Sequence, residues 1–167
     1  MQLYKDLPDE YTSQKPVFIS HHPVIEADSI TTKISVVFNA SGKTSNNTSL
    51  NDHTYTGPAL QADLPTILQN WRSYKYIFTV DLNEMYRQIF VNLKDVWSQC
   101  ILWRDGPLLP IKKYCLFTVT YGTRPALFLA LRELIQLCDD EGIYFSLALL
   151  ILLYERFVDE IMSGIYE

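Results

Sequence analysis

Two apolar, strand-like runs in this chain each end on a carboxylate. Tyr74 to Val80 (YKYIFTV) stops at Asp81, and the segment around Phe157 and Val158 stops at Asp159-Glu160 before a second apolar run, Ile161 to Tyr166. An acid directly after β-branched and aromatic residues is out of place unless the strand end faces solvent or a cation. The second instance predicts a hairpin, strand then acidic pair then strand, whose turn holds two carboxylates. Acids delivered from neighbouring strand ends are what a two-metal phosphoryl-transfer site requires, because hard oxygen ligands must converge on ions about 3.5–4 Å apart. The alternative is ordinary turn chemistry, in which the same acids are solvated ends of strands.

The other segments give an α+β order. A strand is predicted at Ile34 to Phe38, followed by the polar, turn-rich SGKTSNNTSLND. A short helix is predicted from Gln61 to Trp71, with Asp63 as cap and Pro65 in its first turn. Gln99 to Trp103 and Tyr114 to Thr120 read as an antiparallel pair, joined by a loop with Gly106, Pro107 and Pro110. Pro125 to Cys138 is the strongest helical pattern. It ends in Asp-Asp-Glu-Gly, although acids oppose the dipole at a helix C-terminus. A further helix is expected from Tyr144 to about Leu153, and strands from Tyr154 to Val158 and Ile161 to Tyr166. The 12-residue apolar run from Ile143 to Tyr154 is short of the roughly 20 residues that span a bilayer and is expected to be buried core. No secretory h-region opens the chain, so the expected setting is intracellular, in the cytoplasm, with no membrane partner.

Charge and cysteine content narrow the chemistry. The net charge of −5 opposes broad phosphate binding, yet residues 71–113 carry +3 between flanking stretches of −3 and −5. Phosphate contact would be local, and the acidic C-terminal cluster would need cations. The three cysteines, Cys100, Cys115 and Cys138, fit no zinc spacing and are expected to be reduced, mostly buried thiols. Ser41-Gly42-Lys43-Thr44 ends like a phosphate loop, but Val37 stands where that loop needs its first glycine. The tandem His21-His22 pair is poorly spaced for a shared metal, and no Ser, His and Asp set has recognisable local context.

Nine short segments, HHPVI, TTKISVVFNASGKT, SLND, GPALQADL, YKYIFTVDLNEMYRQI, ILWR, TVTYGT, LCDDEG and FVDEIMSG, occur in one order from His21 to Gly164. In that order and approximate spacing the chain resembles a reverse transcriptase, most closely the polymerase of Bel-Pao long-terminal-repeat retrotransposons. The resemblance implies a polymerase palm, an antiparallel sheet packed on helices, with partial fingers and no thumb. Residues 1–70 correspond to fingers and 71–167 to palm. The implied activity is RNA-directed DNA synthesis by two-metal nucleotidyl transfer, with a template-primer and deoxynucleoside triphosphates as partners and two Mg2+ ions as cofactor.

By the same resemblance Asp81, Asp159 and Glu160 are the metal-binding, catalytic acids. Tyr86 matches the bulky residue under the incoming sugar, Tyr121 and Gly122 the floor for nucleotide and template, and Lys33 a basic contact to the triphosphate. Several positions depart from the pattern. Ser35 replaces an arginine, Asn39 an aspartate, Glu160 the second hairpin aspartate, and Pro125 and Leu127 alter the helix entry. The family's thumb, RNase H and integrase have no counterpart in these 167 residues. The departures keep an alternative open, a non-catalytic decayed or co-opted fragment that binds nucleic acid or a protein partner.

Overall fold

The structure, a computed structural model, describes residues 3–4, 15–25 and 34–167. It is mixed α and β with antiparallel sheets, and it packs as two units. One comprises the chain up to Thr56 together with Tyr86–Ala126, and the other comprises Gly57–Met85 together with Leu127–Glu167. These are bodies of contact, whereas the expected ranges 1–70 and 71–167 name regions of a polymerase.

The first unit holds β1 (Leu3–Tyr4), β2 (Ser20–Ile25), β3 (Ile34–Asn39), then β5 (Cys100–Trp103) and β6 (Lys112–Leu116), with β4 lying in the second unit. β2 and β3 form a two-stranded ladder, and β1, β6 and β5 a three-stranded sheet in that order. Pro23 is tolerated in β2 because, among the described residues, that strand pairs on one side only. The core gathers Ile19, Phe38, Ala40, Ile101 and Leu116, with Tyr121 packed against it. Beside it, Val96, Cys100 and Cys115 are buried under Phe18 and Trp97. The predicted strand to Thr120 is shorter than expected. It ends at Leu116, and Thr118 makes only an isolated bridge to Phe90.

The second unit is built on a three-stranded antiparallel sheet in the order β4 (Tyr76–Asp81), β8 (Glu160–Ile165), β7 (Arg156–Phe157). Its helices are α1 (Leu64–Trp71), α2 (Ala126–Glu141, from Leu127 onward) and α3 (Ser146–Tyr154). α1 starts as its sequence dictates. Asp63 accepts hydrogen bonds from the Thr66 N–H and hydroxyl, and Pro65 needs no N–H donor in the first turn. Its Ile67 is buried and its Trp71 Nε1 donates to Ser163 O at 3.2 Å, which docks α1 on β8.

α2 runs through Asp139, Asp140 and Glu141 against the dipole preference. A ladder at helical spacing supports it there, from Arg132 to the Gln136 amide oxygen and from Gln136 Nε2 to Asp140 at 2.9 Å. α3 corrects two expectations. The helix continues to Tyr154, so β7 keeps only two residues of the strand expected from 154 to 158. The run 143–154 is also not core: Ile143 is 89% and Leu147 77% exposed, and α3 has no fully buried residue. A nine-residue helix that is apolar all round has no single face to bury, so its packing against β7 and β8 covers only part of it. No helix among the described residues is long and apolar enough to cross a membrane.

Gly164 is a position of the second unit without steric slack. Gly164 pairs with Ile77, and a Cβ there would lie 2.4 Å from Tyr76 O and 2.7 Å from Tyr74 Cβ. Backbone oxygen cannot swing aside, so β4 and β8 would have to part. Gly164→Ala is expected to destabilise the unit by about 2–3 kcal/mol, read as a lower urea midpoint. An unchanged midpoint would show that the ladder gives way at little cost.

Candidate active site

The acids are placed by backbone register. β4 and β8 pair so that Asp81 stands directly opposite Glu160, and the Leu82 N–H donates to Asp159 O at 2.8 Å, one step beyond the strand end. Phe157 pairs with Glu160, so Val158 and Asp159 form a two-residue turn between β7 and β8. The three carboxylates therefore sit within two successive positions of one sheet end. Directly opposed residues carry Cβ atoms roughly 4.5–5.5 Å apart, and like charges in that relation repel. Asp81 and Glu160 are exposed and Asp159 is half-buried.

The turn is strained and held. Val158 has φ 58°, a left-handed conformation that a β-branched residue adopts only under constraint, at a cost on the order of 1–3 kcal/mol. The surrounding groups fix both sides of that residue. Its N–H donates to Gln61 Oε1 at 3.1 Å, and its carbonyl accepts from Arg156 NH1 at 3.1 Å. The same guanidinium donates through Nε to Leu152 O at 3.0 Å, and Arg156 is only 2% exposed. Burial pulls the Arg156 pKa below its usual value, so the cation is tolerated because carbonyl oxygens solvate it. Sequence reasoning missed both Gln61 and Arg156. Gln61 lies in the GPALQADL segment, but its bond to residue 158 spans 97 positions.

Below the turn, Tyr74 donates its hydroxyl to Glu155 Oε1, while Glu155 Oε2 is buried with no hydrogen-bond partner among the described residues. The bond to Glu155, followed by burial, pushes the Tyr74 pKa up from 10.0 to about 12. A pKa raised on folding stabilises fully below the unfolded value and is lost as pH climbs through the folded one. Tyr74→Phe is therefore expected to lower stability by about 1–3 kcal/mol up to pH 10, with the gap to the parent closing between pH 10 and about 12. Urea midpoints of both proteins across that range check it. A gap that stays constant to the alkaline limit would exclude this bond as its source.

The remaining candidates lie in the first unit. Tyr86 is half-buried in a 3-10 turn, Met85–Gln88, where the Ile89 N–H reaches its carbonyl at 3.4 Å. Tyr121 donates its hydroxyl to Val36 O, and its ring tilts against Phe38 with centroids 5.2 Å apart. Gly122 has φ 86°, and a Cβ there would lie 2.5 Å from Phe38 O, so only glycine fits. Asn51, from the SLND segment, clamps this turn: its amide donates to Gly122 O at 3.0 Å and its oxygen accepts from the Arg124 N–H at 2.8 Å. Lys33 lies outside the described residues. Ser35, half-buried on β3, pairs with Val24.

Backbone register thus places Asp81, Asp159 and Glu160 at one sheet end of the second unit, and Tyr121 and Gly122 adjoin in a turn of the first. No group of three or more His, Cys, Asp or Glu side chains among the described residues is arranged to hold a metal ion. The donor chemistry still suits a magnesium ion, which takes one or two carboxylates and completes its octahedron with water and substrate phosphates. Asp81 and Glu160, opposed in register and exposed, would be the pair to provide those carboxylates with water positions left open.

No model of a known protein family matches the chain, and no curated protein sequence does. Solved structures do match. The selenomethionine-labelled CSH mutant of the prototype foamy virus protease-reverse transcriptase superposes with TM-score 0.66 at 16% identity over 92% of this chain. The native enzyme gives 0.61 at 16%, and the foamy viral protease-reverse transcriptase in complex with an RNA/DNA hybrid gives 0.61 at 19%, each over 92%. This chain spans 17% of the length of each of those proteins. Its fold is that of a reverse transcriptase-like domain.

Proposed function

We propose that the chain is a fingers-and-palm segment of a reverse transcriptase, of the Bel-Pao retrotransposon type, that supports template-directed DNA synthesis. The observation that carries this reading is the placement of Asp159 in a strained two-residue turn, beside the register pair Asp81 and Glu160, within a reverse transcriptase-like fold. Asp81, Asp159 and Glu160 would hold the divalent ions, which supply Lewis-acid stabilisation of charge on the reacting phosphate. The primer 3′-oxygen loses its proton and bonds to the α-phosphorus as the bond to the bridging oxygen breaks, releasing pyrophosphate. Tyr86 would lie under the incoming sugar and exclude a 2′-hydroxyl, Lys33 would meet the triphosphate, and the Tyr121–Gly122 turn would support template and nucleotide.

The purified chain, given a primed homopolymer RNA and labelled deoxynucleotide, is expected to extend the primer with magnesium and to stop when the metal is chelated. Extension that persists under chelation would exclude the mechanism. Lack of extension beside salt-dependent binding of the primed template would favour the second reading, a non-catalytic fragment, which the longer Glu160 arm and the Ser35 position support.

A further inference from the structure

Cys100 opens β5 and stands directly opposite Cys115 on β6, with the two sulfurs 3.0 Å apart and the residues 1% and 6% exposed. The backbone fixes what kind of pair this is. Leu116 N–H donates to Gln99 O at 3.0 Å, which makes the neighbouring position the hydrogen-bonded one. The N–H and C=O of Cys100 are turned the other way, to Val17 O at 3.0 Å and from the Ile19 N–H at 2.8 Å. Cys100 and Cys115 therefore occupy a non-hydrogen-bonded site, where opposed Cα atoms lie about 4.5 Å apart and side chains approach most closely. That separation falls within the roughly 4.4–6.8 Å that a disulfide accepts. Strand register and side-chain position thus agree independently.

We propose that Cys100 and Cys115 are a cross-strand disulfide site, closed by exchange with a low-molecular-weight disulfide such as oxidised glutathione. One cysteine thiolate attacks a glutathione sulfur and releases one reduced glutathione. The second cysteine then attacks the protein-side sulfur of the mixed disulfide, forms the Cys100–Cys115 bond and releases the other. Two protein thiols are oxidised, one small disulfide is reduced, and the thiol protons leave on the two products. Burial holds the Cys100 thiol protonated, so closure is slow in the folded chain. The bond would fix the β5–β6 register where residues 17–19 dock. Cys138, on α2 in the other unit, is left single.

The test equilibrates the full chain with graded ratios of oxidised to reduced glutathione, starting once from the folded and once from the reduced, unfolded protein. After acid quenching, the unfolded product is alkylated and weighed. Of three cysteines, one is expected to be alkylated at the oxidising end, and digestion at Arg104 and Lys113 should yield peptides joined through Cys100 and Cys115. Cys138→Ala should leave that link intact, whereas Cys115→Ala should abolish it. Three alkylated thiols from both starting states, or a link through Cys138, would overturn the proposal. Peptide mapping of the unvaried chain decides this even where a variant fails to fold.

Discussion

Asp81→Asn is expected to reduce nucleotide incorporation by about 100- to 1,000-fold, since a lost ion contact removes several kcal/mol of charge stabilisation from the transition state. The same change should leave stability unchanged or raise it by about 0.2–1 kcal/mol. Asp81 faces Glu160 across the ladder, and neutralising one of two opposed acids relieves repulsion. The opposite signs matter because a merely structural acid would lose stability on substitution, whereas one kept for function lowers stability while present. Primer extension and urea unfolding of parent and variant, measured side by side, give both signs. A variant that is less stable and equally active would place Asp81 in the fold alone.

Glu160→Asp is expected to increase incorporation by about 100-fold, the scale set by moving a reacting or ligating group through about 1 Å. Glu160 closes the β7–β8 hairpin opposite Phe157 and faces Asp81, so its backbone is fixed from both neighbours. Removing one methylene therefore shortens the arm without moving its origin. Asp159 lies in the turn itself, held through its carbonyl by Leu82 N–H, and does not depend on that change. Single-turnover extension at saturating magnesium measures the effect. Equal rates would show that the side chain at residue 160 is outside the ion shell.

Local patterns carried much of this architecture, and long-range bonds explain what they left out. Asp63 and Pro65 announced α1, and both act at its N-terminus as such residues do elsewhere. The apolar run ending at Asp81 and the Asp159–Glu160 pair were legible because an acid breaks a hydrophobic alternation in a way that only a strand end accommodates. Their register was not, since which residue of β8 meets Asp81 follows from ladder pairing across about 80 positions of chain. Arg156 reads as a surface charge, yet it is buried because Leu152 and Val158 present carbonyls to it. Likewise, Asn51 gains its role from a turn 71 residues away. The extent of α3 was hidden by composition: an almost unbroken run of leucine and isoleucine from Leu147 to Leu153 gives no period by which to separate helix from strand or buried face from exposed.

Iron-directed backbone cleavage reports which stretch of the chain holds the ion. Fe2+ replaces Mg2+ on the chain bound to a dideoxy-terminated primer-template with the next deoxynucleotide, and peroxide then generates radicals that cut the polypeptide beside the ion. Cuts are expected flanking Asp81 and the Val158–Glu160 turn, absent from Asp81→Asn and suppressed by excess Mg2+. Cuts confined to another acidic stretch, such as Asp139–Glu141, or none beyond the metal-free background, would contradict that placement of the ion.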